Sequence, residues 1–422
     1  MPHLSPIRHS FLIQGRGFLS ILFHKPEYTL LLLQAFLVGI VSSLNQTLFQ
    51  PYALSVISSL LIVGVLQSLF RFSSFSFQLF GGLISDKLGI KIAFLMSFLL
   101  IFMTGGLFLL PIHSSNPSLT FSVASVLVGV STLGSGLAFF QSSSPGIAIT
   151  SSEDNNNPGK KRSGFYLGVF LFVQFGAGVF GPVIGGSLEE IGGYSFSYGF
   201  VSIVGLIGFV LTLLFMQNHK STISTGKPVL PLRELLRFKR KLRRFYLATT
   251  FDTIGWSLLL GIFFSLLITY RDYTVSDLVL VSTIFNLFVG LSQIPGGWLV
   301  DHVKKRILFT ASALISLVSV LIWLVDQSLL VITLGFVIFS ASVATFVPTV
   351  YAYISESVSV EERATEIGKW NAFRGVISLP MPFLAGFLAE EVGFYGPIII
   401  SFVVLVITTV LYAFVEETTP TE

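Results

Sequence analysis

The chain has 422 residues, 53% of them hydrophobic and 11% charged, with a formal net charge of +4. A water-soluble chain carries about 25% charged residues, so a solvated globular exterior is excluded and lipid must cover much of the surface. The sequence holds no cysteine, which rules out disulfides, thiolate metal sites and cysteine nucleophiles.

The six histidines show no ligand spacing within a helix, so no metal and no cofactor is expected. The basic excess is read as orienting the chain in a membrane, with no nucleic acid as partner.

A crossing helix takes roughly 20 mainly apolar residues. Residues 1–27 form a predicted cytoplasmic segment. Its short run Phe18–Phe23 suits the lipid interface and carries no cleavage site. Spans are then predicted near 28–50, 57–84, 91–111, 118–149, 164–187 and 196–217, a first half over 28–217. A basic cytoplasmic linker, 218–244, leads to spans near 245–269, 278–300, 306–325, 329–355, 364–389 and 395–415, a second half over 245–415. Residues 416–422 form a cytoplasmic tail. The predicted class is an all-α integral membrane protein of twelve transmembrane helices in two pseudo-symmetric six-helix bundles.

With both termini in the cytoplasm of a multi-pass cell-membrane protein, all of the 25 basic residues except Arg71, Arg271 and Arg374 fall on the cytoplasmic side. The positive-inside rule therefore selects this orientation. The polybasic linker serves as a topology anchor, with anionic membrane lipid as its alternative partner.

The chain repeats itself. Gly81-Gly82-Leu83-Ile84-Ser85-Asp86 ends the second span and Gly296-Gly297-Trp298-Leu299-Val300-Asp301 ends the eighth. The same offset pairs Gln67, Arg71 and Gln78 with Ser282, Asn286 and Gln293, one polar face on each helix, turned from lipid. Spans five and eleven match through Leu188-Glu189-Glu190-Ile191-Gly192 and Leu388-Ala389-Glu390-Glu391-Val392-Gly393, with one slip and an offset near 201. The extra loop Ser151–Lys161 takes up most of the change in offset. Two repeated six-span halves are a recurring transporter plan.

At this point the sequence resembles the major facilitator superfamily over nearly its full length. The family's cytoplasmic signature is matched by Gly82, Asp86, Lys87, Gly89 and Lys91, and again by Gly297, Asp301 and Arg306, where Lys304 replaces the second glycine. The resemblance implies a latch on the cytoplasmic side. Gly82 and Gly297 are expected to let helices approach closely. The two aspartates would bond free N–H groups of a neighbouring helix end.

In span five, Gly168, Gly181, Pro182, Gly185 and Gly186 resemble the antiporter-associated motif, with Ala177 in place of one glycine. Pro182 permits a bend and the glycines permit close packing against the other half. Val130 stands where many proton-coupled members carry arginine.

Three charged residues are read as lying well within spans: Arg71, Asp252 and Arg374. Asp252 is about 10 Å and Arg374 about 15 Å from the cytoplasmic ends of their spans at 1.5 Å per residue. An Asp252–Arg374 ion pair is expected, with a structural or a coupling role. Arg71 has no acid at matching depth and is a candidate contact for an anionic solute. Asn45, Gln46, Gln174, Trp256, Asn286, Tyr351 and Asn371 complete the predicted cavity.

The expected function is alternating-access transport of a small solute by a monomer. The leading reading is proton-linked efflux of amphipathic compounds. The alternative is a carrier for an organic anion or a sugar-like solute, favoured if Arg71 faces the cavity. A membrane sensor without flux is the alternative of another class, and no enzyme is expected because no paired carboxylates or nucleotide-binding loop occur within the spans.

Overall fold

A computed structural model describes residues 26–113, 118–150, 163–218, 239–358 and 363–417. The side chains at 86, 145–150, 163–168, 294, 301 and 363–365 also lie outside the description. The expectations for 1–25, for the loop Ser151–Lys161 and for most of the linker therefore fall outside it.

The described chain is helical: α1 Pro26–Val56, α2 Leu60–Leu88, α3 Ile90–His113, α4 Leu119–Thr150, α5 Ser163–Ala177 and α6 Phe180–Phe215. A 3-10 turn at Arg240–Leu242 then starts α7 Arg243–Arg271. After it come α8 Val275–His302, α9 Lys305–Val325, α10 Leu329–Ser357, α11 Arg363–Ser378, α12 Met381–Val392 and α13 Tyr395–Ala413.

Span five is α5 with the first part of α6, and span eleven is α11 with α12. The apolar stretch Val169–Phe215 is 47 residues long, roughly 70 Å of helix against a hydrocarbon layer of about 30 Å. It must cross twice. The reversal is at Gly192 (φ −145°) and Gly193 (φ +66°), where the backbone leaves the helical region. Twelve crossings result among the described residues.

The breaks inside spans five and eleven have a common cause. Pro182 has no N–H to offer the carbonyl four residues back, so the chain tightens there. Gly178 and Val179 donate instead to Phe175 and Gly176, three residues back, at 2.9 and 3.2 Å. In span eleven, Pro380 and Pro382 follow the break and Leu379 donates to Val376 at 3.4 Å.

The outer face is apolar: Ile191, Leu214, Phe215, Leu330 and Phe414 are all largely exposed. The interior is built from aromatic rings and short polar groups. Tyr52 is buried among Phe108, Tyr194 and Tyr198 and donates to the Phe108 carbonyl at 2.6 Å. One buried apolar cluster is drawn from α1–α6, and two more come almost wholly from α7–α13. Between them, α2 packs on α11 and α12, and α8 packs on α5 and α6. Serine and threonine hydroxyls donate mostly to carbonyls of their own helices, as with Thr47 to Ser43 at 3.0 Å. Lipid offers them no other partner.

The structure corrects the assignment of the close-packing glycines. A Cβ on Gly82 or Gly297 would meet nothing within 4 Å. The preceding residue does that work in each repeat. A Cβ on Gly81 would strike Ser142 and Phe139 of α4, and one on Gly296 would strike the Ala344 carbonyl of α10.

Candidate functional site

The middle of the molecule gathers charge from three helices: Arg71 on α2, Asp252 on α7 and Arg374 on α11. Arg374 donates from Nε to Thr253 Oγ1 at 3.3 Å. Its guanidinium lies over Trp370 at 4.6 Å and over Phe75, from the other half, at 5.0 Å. An aromatic face on either side attracts a desolvated cation through the ring quadrupole.

The expected direct Asp252–Arg374 bridge is not made. No nitrogen–oxygen pair between them comes within 4.0 Å, and Arg374 bonds to the next residue, Thr253, instead. The two charges still attract each other across the gap, and Arg71 and Arg374 repel each other. Depth along a helix does not determine side-chain reach. Asp252 is buried, and the Nε of Arg71 is enclosed without a hydrogen-bond partner.

Around these charges lie Tyr351, 36% exposed, and buried Asn371. Tyr351 feels the Arg374 charge and lies beside Asn371. Trp256 stacks on Phe339 at 4.1 Å, and Phe339 on Phe285 at 5.7 Å. Asn45 is buried, with its side-chain oxygen unpartnered. Gln46 is exposed at mid-helix and Gln174 is half-buried. Asn286 donates to the Ser282 carbonyl of its own helix at 2.8 Å and abuts Gly178, which places it in the α5–α8 seam.

One buried acid was missed. Glu366 on α11 is 2% exposed, accepts from the Tyr246 hydroxyl at 3.0 Å and lies 3.7 Å from Lys369. Its place near the start of the span does not tell which way it points; it faces α7.

The two signature turns are tied within their own halves. Gly89 caps α2 at φ +104°, and a Cβ there would strike Asn218. Lys91 donates to the Leu213 carbonyl at 2.8 Å, near the α6 C-terminus, where the helix dipole favours a cation. Lys87 and Arg306 are exposed. In the second turn Lys304 has φ −57°, so no glycine is needed. The Asp86 and Asp301 side chains, on which the latch expectation rests, lie outside the description.

The span-five motif is corrected in part: Gly181 packs on Ile40 and Ser43, and Gly185 on Leu44 and Leu48, all of α1 in their own half, and of the motif's described glycines only Gly186 packs across the seam, on Val279 of α8. Gly168 lies on α5.

A sequence model of the Major Facilitator Superfamily matches residues 31–274 and 245–422. The chain belongs to this superfamily of membrane transporters. An uncharacterised MFS-type transporter of Methanocaldococcus jannaschii is 25% identical over 239 residues, covering 53% of this chain and 58% of the relative. The matched region thus spans little more than half of that relative's length. Among solved structures, a D-xylose–proton symporter superposes with TM-score 0.69 at 13% identity, covering 94% of this chain and 99% of the other. The human organic anion transporter MFSD10 superposes with TM-score 0.63 at 15% identity, covering 92% and 99%. At such identities the superpositions establish the shared fold.

Proposed function

We propose that the protein carries a small organic anion across the membrane by alternating access. The observation that carries this reading is the buried, unpartnered Nε of Arg71 beside the like charge of Arg374. Among the described residues, two guanidiniums, Arg71 and Arg374, share the buried centre with one carboxylate, Asp252, so the centre lacks a negative charge. An uncompensated buried charge is costly, and an anionic solute would supply the missing partner. Phe75, Trp370 and Tyr351 offer aromatic faces for an apolar body attached to that anion.

Binding of labelled aromatic carboxylates to purified protein tests the proposal. Arg71→Gln should weaken binding by at least about tenfold, as loss of one charge-assisted hydrogen bond implies, while Arg71→Lys keeps part of it. Equal binding of a neutral amide analogue, or unchanged affinity in Arg71→Gln, would refute the reading.

A second reading, proton-linked efflux of amphipathic compounds, draws support from the span-five motif and from buried Asp252 near Arg374. It predicts transport that depends on a proton gradient and is lost in Asp252→Asn.

A further inference from the structure

The repeated stretches around Glu190 and Glu390 are a duplicated motif that belongs neither to the central site nor to the signature turns. The structure fixes their equivalence at an offset of 200 residues: Pro182 with Pro382, Gly186 with Gly386, Glu190 with Glu390, and Gly193 with Gly393, both at positive φ. Each glutamate ends its span on the same end of the molecule, and each reaches into the opposite half.

Glu390, on α12, accepts from the Ser59 hydroxyl at 2.8 Å and from the Leu61 backbone N–H at 3.0 Å. Ser59 is the N-cap of α2. Glu190, on α6, accepts from the Ser276 hydroxyl at 3.0 Å, in the first turn of α8. The N-caps of these two target helices, Ser59 and Thr274, are themselves equivalent in the repeat. A carboxylate over a helix N-terminus meets free N–H groups and the positive end of the dipole, and hydrogen bonds to an ionised acceptor are the stronger kind.

The other cross-half contacts run from this end toward the middle. Gln50 accepts from the Ser265 N–H at 2.8 Å and donates to the Leu260 carbonyl at 3.2 Å; Ser68 accepts from the Phe383 N–H at 3.1 Å. A Cβ on Gly375 would meet Ser76, near mid-membrane.

We infer that Glu190 and Glu390 are a matched pair of gate residues, clasping the two halves together at the end of the molecule opposite the signature turns. Each clasp crosses the seam in the opposite sense: first half onto α8, second half onto α2. The halves cannot part at this end without releasing both bonds, whereas the opposite end can open with both intact. The clasps set the balance between the two access states and leave the central site untouched. The inference rests on alternating access, not on the charge of the solute.

The absence of native cysteine permits a direct test. Spin labels at Ser55→Cys on α1 and Val392→Cys on α12, both exposed, report the separation of the halves by pulsed electron resonance without any solute. The parent protein should show a short distance as its main population. Glu190→Ala or Glu390→Ala should each raise a longer-distance population, and together they should make it dominant. Glu391→Ala, which removes the exposed neighbouring acid, should leave the distances unchanged. Where the alanine pair proves unstable, Glu190→Gln with Glu390→Gln should give the same shift in smaller degree. Unchanged distances in a monodisperse double variant, or an equal shift in Glu391→Ala, would overturn the inference. Because no solute is present, that outcome would leave the anion reading standing.

Discussion

The central charges show what a residue's surroundings add to its depth in the chain. Counting along the helices puts Asp252 about 10 Å and Arg374 about 15 Å from the cytoplasmic ends of their spans, from which a direct bridge is expected. The bridge is not made, because the guanidinium is drawn to Thr253, Trp370 and Phe75 instead.

Glu366 was missed for a related reason. A glutamate in the first turn of a span reads as interfacial, and only the rotation of α11 turns it inward onto Tyr246. That contact has a measurable consequence. Tyr246→Phe removes the hydroxyl donor and leaves a buried carboxyl less satisfied, at a cost of about 1–3 kcal/mol. A lowered thermal midpoint, with solute affinity unchanged, is expected. An unchanged midpoint would mean that water or Lys369 takes over.

At the scale of helices, the positions of the spans were legible because apolar runs of sufficient length cannot be hidden in sequence. Their rotation was harder to read. Neighbouring residues point about 100° apart, so in each double-glycine step the sequence could not say which glycine meets the next helix. Packing selects Gly81 and Gly296.

Gly81→Val should therefore destabilise by about 1–3 kcal/mol through overpacking against α4, while Gly82→Val, facing open space, should be tolerated. Detergent melting curves of the two variants would check this. Similar losses in both would return the packing role to the motif's second glycine. The proline breaks have a clearer sequence basis. Pro182 and Pro382 occupy equivalent places, so the same missing N–H acts at the same point of each repeat.

For the whole molecule, the repeat is the most informative feature, because it implies two halves and a central seam from the sequence alone. It also exposed the stretches around Glu190 and Glu390, though their role depends on which helix end each glutamate reaches, and that is a property of the assembled seam. The resulting picture is two helical halves joined firmly at one end, with an arginine-rich, aromatic-lined centre between them. A carrier built this way moves its solute by exchanging which end is closed.

Counterflow across a membrane tests that picture most directly. Proteoliposomes loaded with an unlabelled aromatic carboxylate should accumulate the labelled compound transiently from outside, and vesicles bearing Arg71→Gln should not. Absence of exchange for any organic anion by folded protein, or undiminished exchange by Arg71→Gln, would contradict an anion carrier centred on this site.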